Sequence, residues 1–245
     1  MATQAEIDSA AAQLEGKSPQ EILTWALANY SNISLASSFG AEDVVLIDML
    51  SKIRPDAQVF TLDTGRLNNE TYAVIEAVQR KYPQIKLRIM FPDNATVETM
   101  VQEAGINLFY DSVENRKRCC FVRKVEPLNR ALVGLDAWIT GLRRDQTANR
   151  SEMRVVEMDA PRGVAKVNPL IDWSNEQVWE YIRTNGVPYN ALHDQNFPSI
   201  GCAPCTRAVQ PGEDLRAGRW WWESSNQECG LHVNEQGQLV RSKQA

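Results

Sequence analysis

The apolar positions first fall into a helical pattern behind Ser18-Pro19-Gln20-Glu21, a capping box with proline at the first helical position. This predicts a helix through Ala28, with Ile22, Leu23, Trp25 and Leu27 largely inward. A short apolar run from Ile33 to Ser37 reads as a strand. It leads through the turn Ser38-Phe39-Gly40 into an apolar helix beginning near Glu42. The same alternation recurs as a strand from Gln58 to Leu62, the turn Asp63-Thr64-Gly65, a helix from Asn69 to Tyr82 and a strand from Lys86 to Met90. A helix follows around Val97 to Ala104, then helical sequence from Val113 to Leu132 with an interruption expected at Pro127, then a strand from Trp138 to Leu142. Val164 to Val167 is a weaker strand, and Ser174 with Gln177 forms a second capping box opening a helix to Arg183.

Strands alternating with helices predict an α/β fold with a doubly wound, mostly parallel sheet, whose ligands sit at the carboxyl ends of the strands. From Asn196 the texture changes to prolines, glycines and the run Trp220-Trp221-Trp222 with little periodicity. The expected organisation is an α/β body over 1–200 and a C-terminal tail over 201–245, both parts of one domain. The tryptophans argue for order in that tail, although tryptophans alone also serve as plain packing residues.

Composition narrows the function. The chain has 245 residues, 43% of them hydrophobic, enough for a normal core, and its net charge of −5 argues against a nucleic-acid binder. The amino terminus lacks a basic region followed by an apolar run, and the most apolar stretch, from Val44 to Leu50, is broken by Asp48. Neither a secretion signal nor a membrane span is expected, and the location expected is the cytoplasm. Five cysteines in such a chain point to reduced thiols used in metal ligation or catalysis.

The cysteines divide four and one. Cys119 and Cys120 are adjacent and make a poor disulfide, but both can lean toward one ion from the flank of a helix. Cys202 and Cys205 form a C-x2-C, and the four thiolates together suit a [4Fe-4S] cluster or a structural zinc, with buried free thiols as the plain alternative. Around the first pair, Arg116, Lys117, Arg118, Arg123 and Lys124 are either a solvated face or cations that lower the cost of burying an anionic cluster. Cys229 stands alone beside Gly230, three residues before His232, and reads as either a nucleophilic thiolate or a free thiol. The loop from Ser37 to Asp43 offers backbone N–H groups to an anion, while Glu42 and Asp43 alone read as partners of the helix dipole. Arg143 and Arg144 follow the last clear strand, where arginine suits sulfate or phosphate, or pairs with Asp145.

In combination, Ser37-Ser-Phe-Gly-Ala-Glu-Asp43, Leu62-Asp-Thr-Gly65, Lys117-Arg-Cys-Cys120, Arg123-Lys-Val-Glu-Pro127 and Thr140-Gly-Leu-Arg-Arg-Asp145 resemble the adenylyl-sulfate reductase family. So do Pro198-Ser-Ile-Gly-Cys-Ala-Pro-Cys-Thr206, the stretch from Gly212 to Glu223, and Glu228-Cys-Gly-Leu-His232, extending the likeness over about 33–232. The resemblance implies an adenine nucleotide α-hydrolase-like fold and one [4Fe-4S] cluster on Cys119, Cys120, Cys202 and Cys205. It implies Cys229 as nucleophile, Lys124 between cluster and substrate, Arg144, Arg216 and Arg219 on the phosphosulfate, and His232 in a site closed by the tail. Ser37, Ser38, Phe39, Gly40 and Glu42, with Leu62, Asp63, Thr64 and Gly65, would hold the adenosine end. The implied activity is reduction of adenylyl sulfate to sulfite and AMP in sulfate assimilation and cysteine biosynthesis, with thioredoxin or a similar dithiol as reductant. A homo-oligomer is left open. The alternatives are 3'-phosphoadenylyl-sulfate reduction, a cluster-bearing tRNA-thiolating enzyme, and a non-enzymatic metal-binding module.

Overall fold

The computed structural model describes residues 3–146 and 152–223. Its six-stranded sheet runs in the order β3-β2-β1-β4-β6-β5. The strands are β1 (Ile33–Ala36), β2 (Gln58–Leu62), β3 (Lys86–Met90), β4 (Ala137–Ile139), β5 (Val156–Asp159) and β6 (Val164–Val167). β1 is parallel to β2 and β4, β4 is parallel to β6, and β5 returns antiparallel to β6. This is the predicted α/β, mostly parallel architecture, with its order reversing between β1 and β4.

The central strands are buried on both faces, as a parallel sheet covered by helices requires. Every residue of β4 and β6 is buried, Lys166 included. That lysine pairs at 2.8 Å with Glu157, its register partner on β5, and lies 5.8 Å from the Trp138 ring. Edge strand β3 has three exposed and two half-buried residues and none fully buried.

The helices are α1 (Gln4–Leu14), α2 (Pro19–Asn29), α3 (Ala41–Ile53), α4 (Asn69–Lys81), α5 (Asn94–Ala104), α6 (Val113–Cys120), α7 (Glu126–Leu132) and α8 (Asn175–Asn185). Both predicted capping boxes form: Ser18 and Ser174 accept from the backbone N–H of Glu21 and Gln177, whose side chains accept from the cap N–H groups. α3 is buried on nearly every side from Val44 to Leu50. Asp48 is tolerated within that run because the hydroxyls of Tyr82 and Tyr181 and the Lys52 ammonium all donate to its carboxylate, at 2.6–2.8 Å.

Three expectations change. The interruption between Val113 and Leu132 falls at Phe121–Val125, a π-helical turn directly after Cys120, and not at Pro127. Pro127 is the second residue of α7, directly after the π turn, and helix continues through it to Leu132. The strand expected from Trp138 to Leu142 ends at Ile139, because the chain turns at Gly141. α1 and β5 were not predicted. Alanines supply half of α1's buried face, and β5 alternates too weakly to stand out without β6 beside it.

The chain divides into two compact units interleaved in sequence. One comprises Met1–Thr61, Thr71–Arg88 and Leu132–Asn190, the other Leu62–Glu70, Ile89–Ala131 and Ala191–Ala245. The first contains a core cluster of 36 buried residues centred on α2, α3 and the sheet. In the second, a cluster of six buried residues, Met100, Leu108, Phe109, Val122, Cys205 and Trp220, packs with Cys119, Cys202 and Trp222.

Candidate functional site

Two places carry the predicted site residues, one in each unit. In the second unit, Cys119, Cys120, Cys202 and Cys205 line a single cavity, although more than eighty residues separate the pairs in sequence. Helix α6 presents Cys119 and Cys120 at its end, where the π turn follows. A one-turn 3-10 segment presents the other pair, with the Cys205 N–H donating to the Cys202 carbonyl at 2.9 Å. Three contacts fasten that turn to 62–70: the Ala203 N–H donates to the Arg66 carbonyl at 2.8 Å, Asn68 Nδ2 donates to the Gly201 carbonyl at 3.1 Å, and the Thr64 hydroxyl lies 3.2 Å from Cys202 Sγ.

The cavity wall is cationic. Arg66, Arg116, Arg123, Lys124 and Arg219 all line it, together with the apolar faces of Phe109, Pro204 and Trp220. Arg123 is buried and donates to the Thr64 carbonyl at 2.7 Å; Gly65 beside it has φ 70° and leaves room for the guanidinium. Arg219 lies across Gly201, where any Cβ would overlap its guanidinium. Its Nε is buried without a protein acceptor, so this wall has a donor to give to an anionic group.

Burial dominates two of the thiols. It pushes Cys119 up, with Arg123 opposing, and pushes Cys205 up to about 12, with the neighbouring Cys202 adding to the rise and Lys124 opposing it. Without a metal these sulfurs are therefore protonated, and they become ligands by losing those protons. Among the described residues, no group of three histidines, cysteines or carboxylates is arranged around a single ion. No disulfide joins the four described cysteines.

The tryptophan run is resolved by its contacts. Trp220 is 2% exposed and sits between two guanidiniums, with Arg116 and Arg219 each 4.8 Å from its ring. Trp222 packs edge-on against Tyr110 at 4.5 Å, and Trp221 is 41% exposed. Immediately beyond, Glu223 forms a buried bidentate pair with Arg116, at 2.8 and 2.9 Å. Arg216 is half-buried at the turn before this run. Cys229 and His232 lie outside the described residues.

In the first unit, the loop after β1 and the turn after β4 come together at the point where the strand order reverses. The Ser37 N–H continues the sheet to the Phe60 carbonyl at 2.8 Å, the Phe39 N–H donates to Ser37 Oγ at 3.1 Å, and Phe39 is buried with φ 59°. A bulky residue held in the left-handed region stores strain, of the kind found where a loop must present its backbone to a ligand. Gly40 then opens α3 without a side-chain cap. Both the Ser38 N–H and hydroxyl donate to Asp43, at 2.5 and 2.8 Å, yet burial raises Asp43 to about 6. Gly141 is the point of closest approach, since a Cβ there would overlap the Asp43 carboxylate and the Glu42 side chain.

The two arginines after β4 are both engaged. Arg143, read from sequence alongside Arg144 as an anion ligand or a partner of Asp145, is the buried one: it donates to Glu42 at 2.9 Å, to Asp145 at 2.5 Å and to the Trp173 carbonyl at 3.1 Å. Gln146 also donates to Glu42, at 2.9 Å. Arg144 donates to the Met153 carbonyl at 2.8 Å, to Glu15 at 3.1 Å and to Asp172. Leu62–Gly65 divides its roles: Asp63 is buried and accepts from the Gly65 N–H at 2.8 Å, while Thr64 contacts the cysteine set. Arg116 and Glu223 were not singled out as a pair, although the i, i+4 spacing of Arg116 and Cys120 on one helix was readable.

Comparison with known proteins bears on the fold and the family. A phosphoadenosine phosphosulfate reductase domain matches residues 32–208. The chain is 50% identical over 217 residues to the adenosine 5'-phosphosulfate reductase of Allochromatium vinosum, covering 88% of this chain and 84% of that one. Among solved structures it is similar to the phosphoadenylyl-sulfate reductase of Candida auris in its phosphate complex, with a TM-score of 0.74, 33% identity, and 85% of this chain and 98% of that one covered. The fold alone is shared with Candida glabrata FMN adenylyltransferase in complex with FAD and pyrophosphate, at a TM-score of 0.54 and 14% identity, covering 96% of this chain and 80% of that one. No helix among the described residues is long and apolar enough to cross a membrane. With the strand order, the thiol cavity and the matched domain taken together, this chain belongs to the phosphoadenosine phosphosulfate reductase family.

Proposed function

We propose that this protein reduces adenylyl sulfate to sulfite and AMP. The observation that carries the reading is the single cavity lined by four of the five cysteines, which leaves Cys229 as the thiol available for chemistry. The donor set fits a [4Fe-4S] cluster. Four thiols behind a cationic wall suit a thiolate-ligated cluster that carries net negative charge. Cys119, Cys120, Cys202 and Cys205 would hold it, and Arg66, Arg116, Arg123, Lys124 and Arg219 would offset its negative charge. When bound, the group supplies structural cross-linking and a fixed local field.

The chain's own residues carry the reaction. The Cys229 thiolate attacks the sulfonyl sulfur, the S–O bond to the phosphate breaks, AMP leaves with that bond's electron pair, and the enzyme holds an S-sulfocysteine. A dithiol of the thioredoxin class then attacks the Cys229 sulfur and sulfite departs with the electron pair of the S–S bond; the donor's second thiol resolves the mixed disulfide, Cys229 returns as a thiol, and the donor, having given up two electrons, is left as a disulfide. With four cysteines in the cavity, the chain has no second free thiol to resolve the adduct itself. Lys124, Arg216 and Arg219 would meet the charge on the transferring group and the leaving phosphate, and His232 would line the same site. The strained Ser37–Gly40 loop with Glu42, the Leu62–Gly65 segment, and Arg144 would hold the nucleotide. Reduced thiols in these roles support a cytoplasmic location.

A second reading, reduction of 3'-phosphoadenylyl sulfate, draws support from the Candida auris likeness. The engagement of Arg143 with Glu42 and Asp145 speaks against it, since the crevice then pairs its buried cation internally and adds carboxylates where another phosphate would bring charge. Rates with the two nucleotides separate the readings: preference for adenylyl sulfate supports the first, equal rates refute the discrimination. The principal test is intact mass after mixing anaerobic enzyme with adenylyl sulfate and no reductant. A gain of about 80 Da on Cys229, lost on adding thioredoxin, is the expected result of sulfonyl transfer. No gain from enzyme shown to contain iron refutes the mechanism and favours tRNA thiolation or a binding module.

A further inference from the structure

Asn168 directly follows β6 and is fully buried, yet its side-chain amide is used in full. Nδ2 donates to the Arg154 carbonyl at 2.9 Å and to Glu157 Oε1 at 3.3 Å, the same oxygen that takes the Lys166 ammonium at 2.8 Å. With the NH2 group committed to two acceptors, Oδ1 is the atom left for the turn after β4, and the buried Thr140 hydroxyl donates to it at 2.5 Å. The Thr140 oxygen in turn accepts from the Leu142 N–H at 3.4 Å, closing the chain over Gly141. A second tie lies at the far end of the turn: the Arg144 N–H donates to the Ile171 carbonyl at 2.9 Å, and the Ile171 N–H donates to the Asn168 carbonyl at 3.2 Å. The segment from Asn168 to Ile171 therefore holds this turn at both ends.

We propose that Asn168 and Thr140 are positioning residues for nucleotide binding: the buried amide fixes the Thr140 hydroxyl, the hydroxyl folds the chain over Gly141, and Gly141 is thereby set against Asp43 and Glu42 at the entry to α3. This junction lies where the strand order reverses between β1 and β4, the place where an open α/β sheet takes its ligand. It has no slack, since a Cβ on Gly141 would already overlap the Asp43 carboxylate. Removing the Thr140 hydroxyl strands a buried acceptor on Asn168, and the turn can satisfy it only by moving. A turn that holds the nucleotide rather than the transferring sulfur acts on ground state and transition state alike, so its loss falls on affinity and spares the chemical step.

This inference rests on the reductase reading, and the test separates the two. AMP binding by calorimetry and steady-state reduction of adenylyl sulfate are measured for Thr140→Val, Thr140→Ser, Asn168→Ala and the double variant Thr140→Val with Asn168→Ala. Thr140→Val and Asn168→Ala are each expected to weaken AMP binding and raise KM at least about fivefold, with kcat at saturating substrate within about twofold. Thr140→Ser, which keeps the hydroxyl, is expected to bind AMP within about twofold of wild type. The double variant is expected to bind no worse than the weaker single one, because both changes break the same contact. A buried control on α8, Val178→Ala, is expected to lower the denaturation midpoint and leave AMP affinity unchanged. Wild-type affinity in Thr140→Val, an equal loss in Thr140→Ser, losses that multiply in the double variant, or a matching loss in Val178→Ala overturns the inference. The two variants at Thr140 and the control decide by themselves where Asn168→Ala does not fold. Wild-type protein that neither binds AMP nor reduces adenylyl sulfate overturns the reductase reading instead.

Discussion

Asp43 carries a stated pH dependence. Burial raises its pKa from an ordinary 3.8 to about 6, against two hydrogen bonds from Ser38. Between those values the folded protein binds more protons than the unfolded chain, so stability falls as pH rises from about 4 to 6, by a total of about 3 kcal/mol. Asp43→Asn keeps an oxygen for Ser38 and removes the titration. Urea unfolding at pH 4.5 and pH 7 is expected to show this decline in wild-type protein and its disappearance in the variant; an unchanged decline would assign it to other groups. Cys229→Ser tests a different residue: iron content is expected to match wild type while sulfite formation disappears, and retained turnover would sink the nucleophile assignment. Four of the five cysteines were legible as a set from spacing and ligand chemistry, and so was the pairing of an arginine with Asp145, whereas the grip of Arg143 on Glu42 and Trp173 was not, because both are distant in sequence.

Two element ends, the loop entering α3 and the turn leaving β4, meet with almost no clearance at Gly141. Gly141→Ala would push a methyl group into Asp43 and Glu42, and overpacking of this kind destabilises by about 1–3 kcal/mol. AMP binding followed by calorimetry is expected to weaken along with the denaturation midpoint; a variant that binds as wild type would show that the close approach has no part in the nucleotide site. The capping boxes of α2 and α8 were readable because their chemistry is local, a serine and a Glu or Gln three residues apart. The π turn at Phe121–Val125 was not, because nothing in Phe-Val-Arg-Lys-Val announces an extra residue in a helical turn. Such turns recur at functional sites, and this one buries Arg123 on the cavity wall next to the cysteine pair.

At the scale of the molecule, the two units are held differently. One has a cluster of 36 buried residues, whereas the cluster at the thiol cavity has six and includes a cysteine. Bound metal should therefore supply part of the second unit's stability. Chelation, or Cys202→Ser, is expected to lower one calorimetric transition and leave the other within a degree or two; equal shifts in both would contradict this division of stability. The sequence by itself determined the α/β class, the capped starts of α2 and α8 and the grouping of Cys119, Cys120, Cys202 and Cys205, because periodicity, capping and ligand chemistry act over a few residues. Tertiary structure alone decided that residues 62–70 pack with the cysteine turn, that Arg143 is the buried arginine after β4, and that Arg116 grips Glu223. Each of these is a contact across tens of residues or more, where partners are chosen by shape and by the need to satisfy buried charge, and chain order carries no record of either.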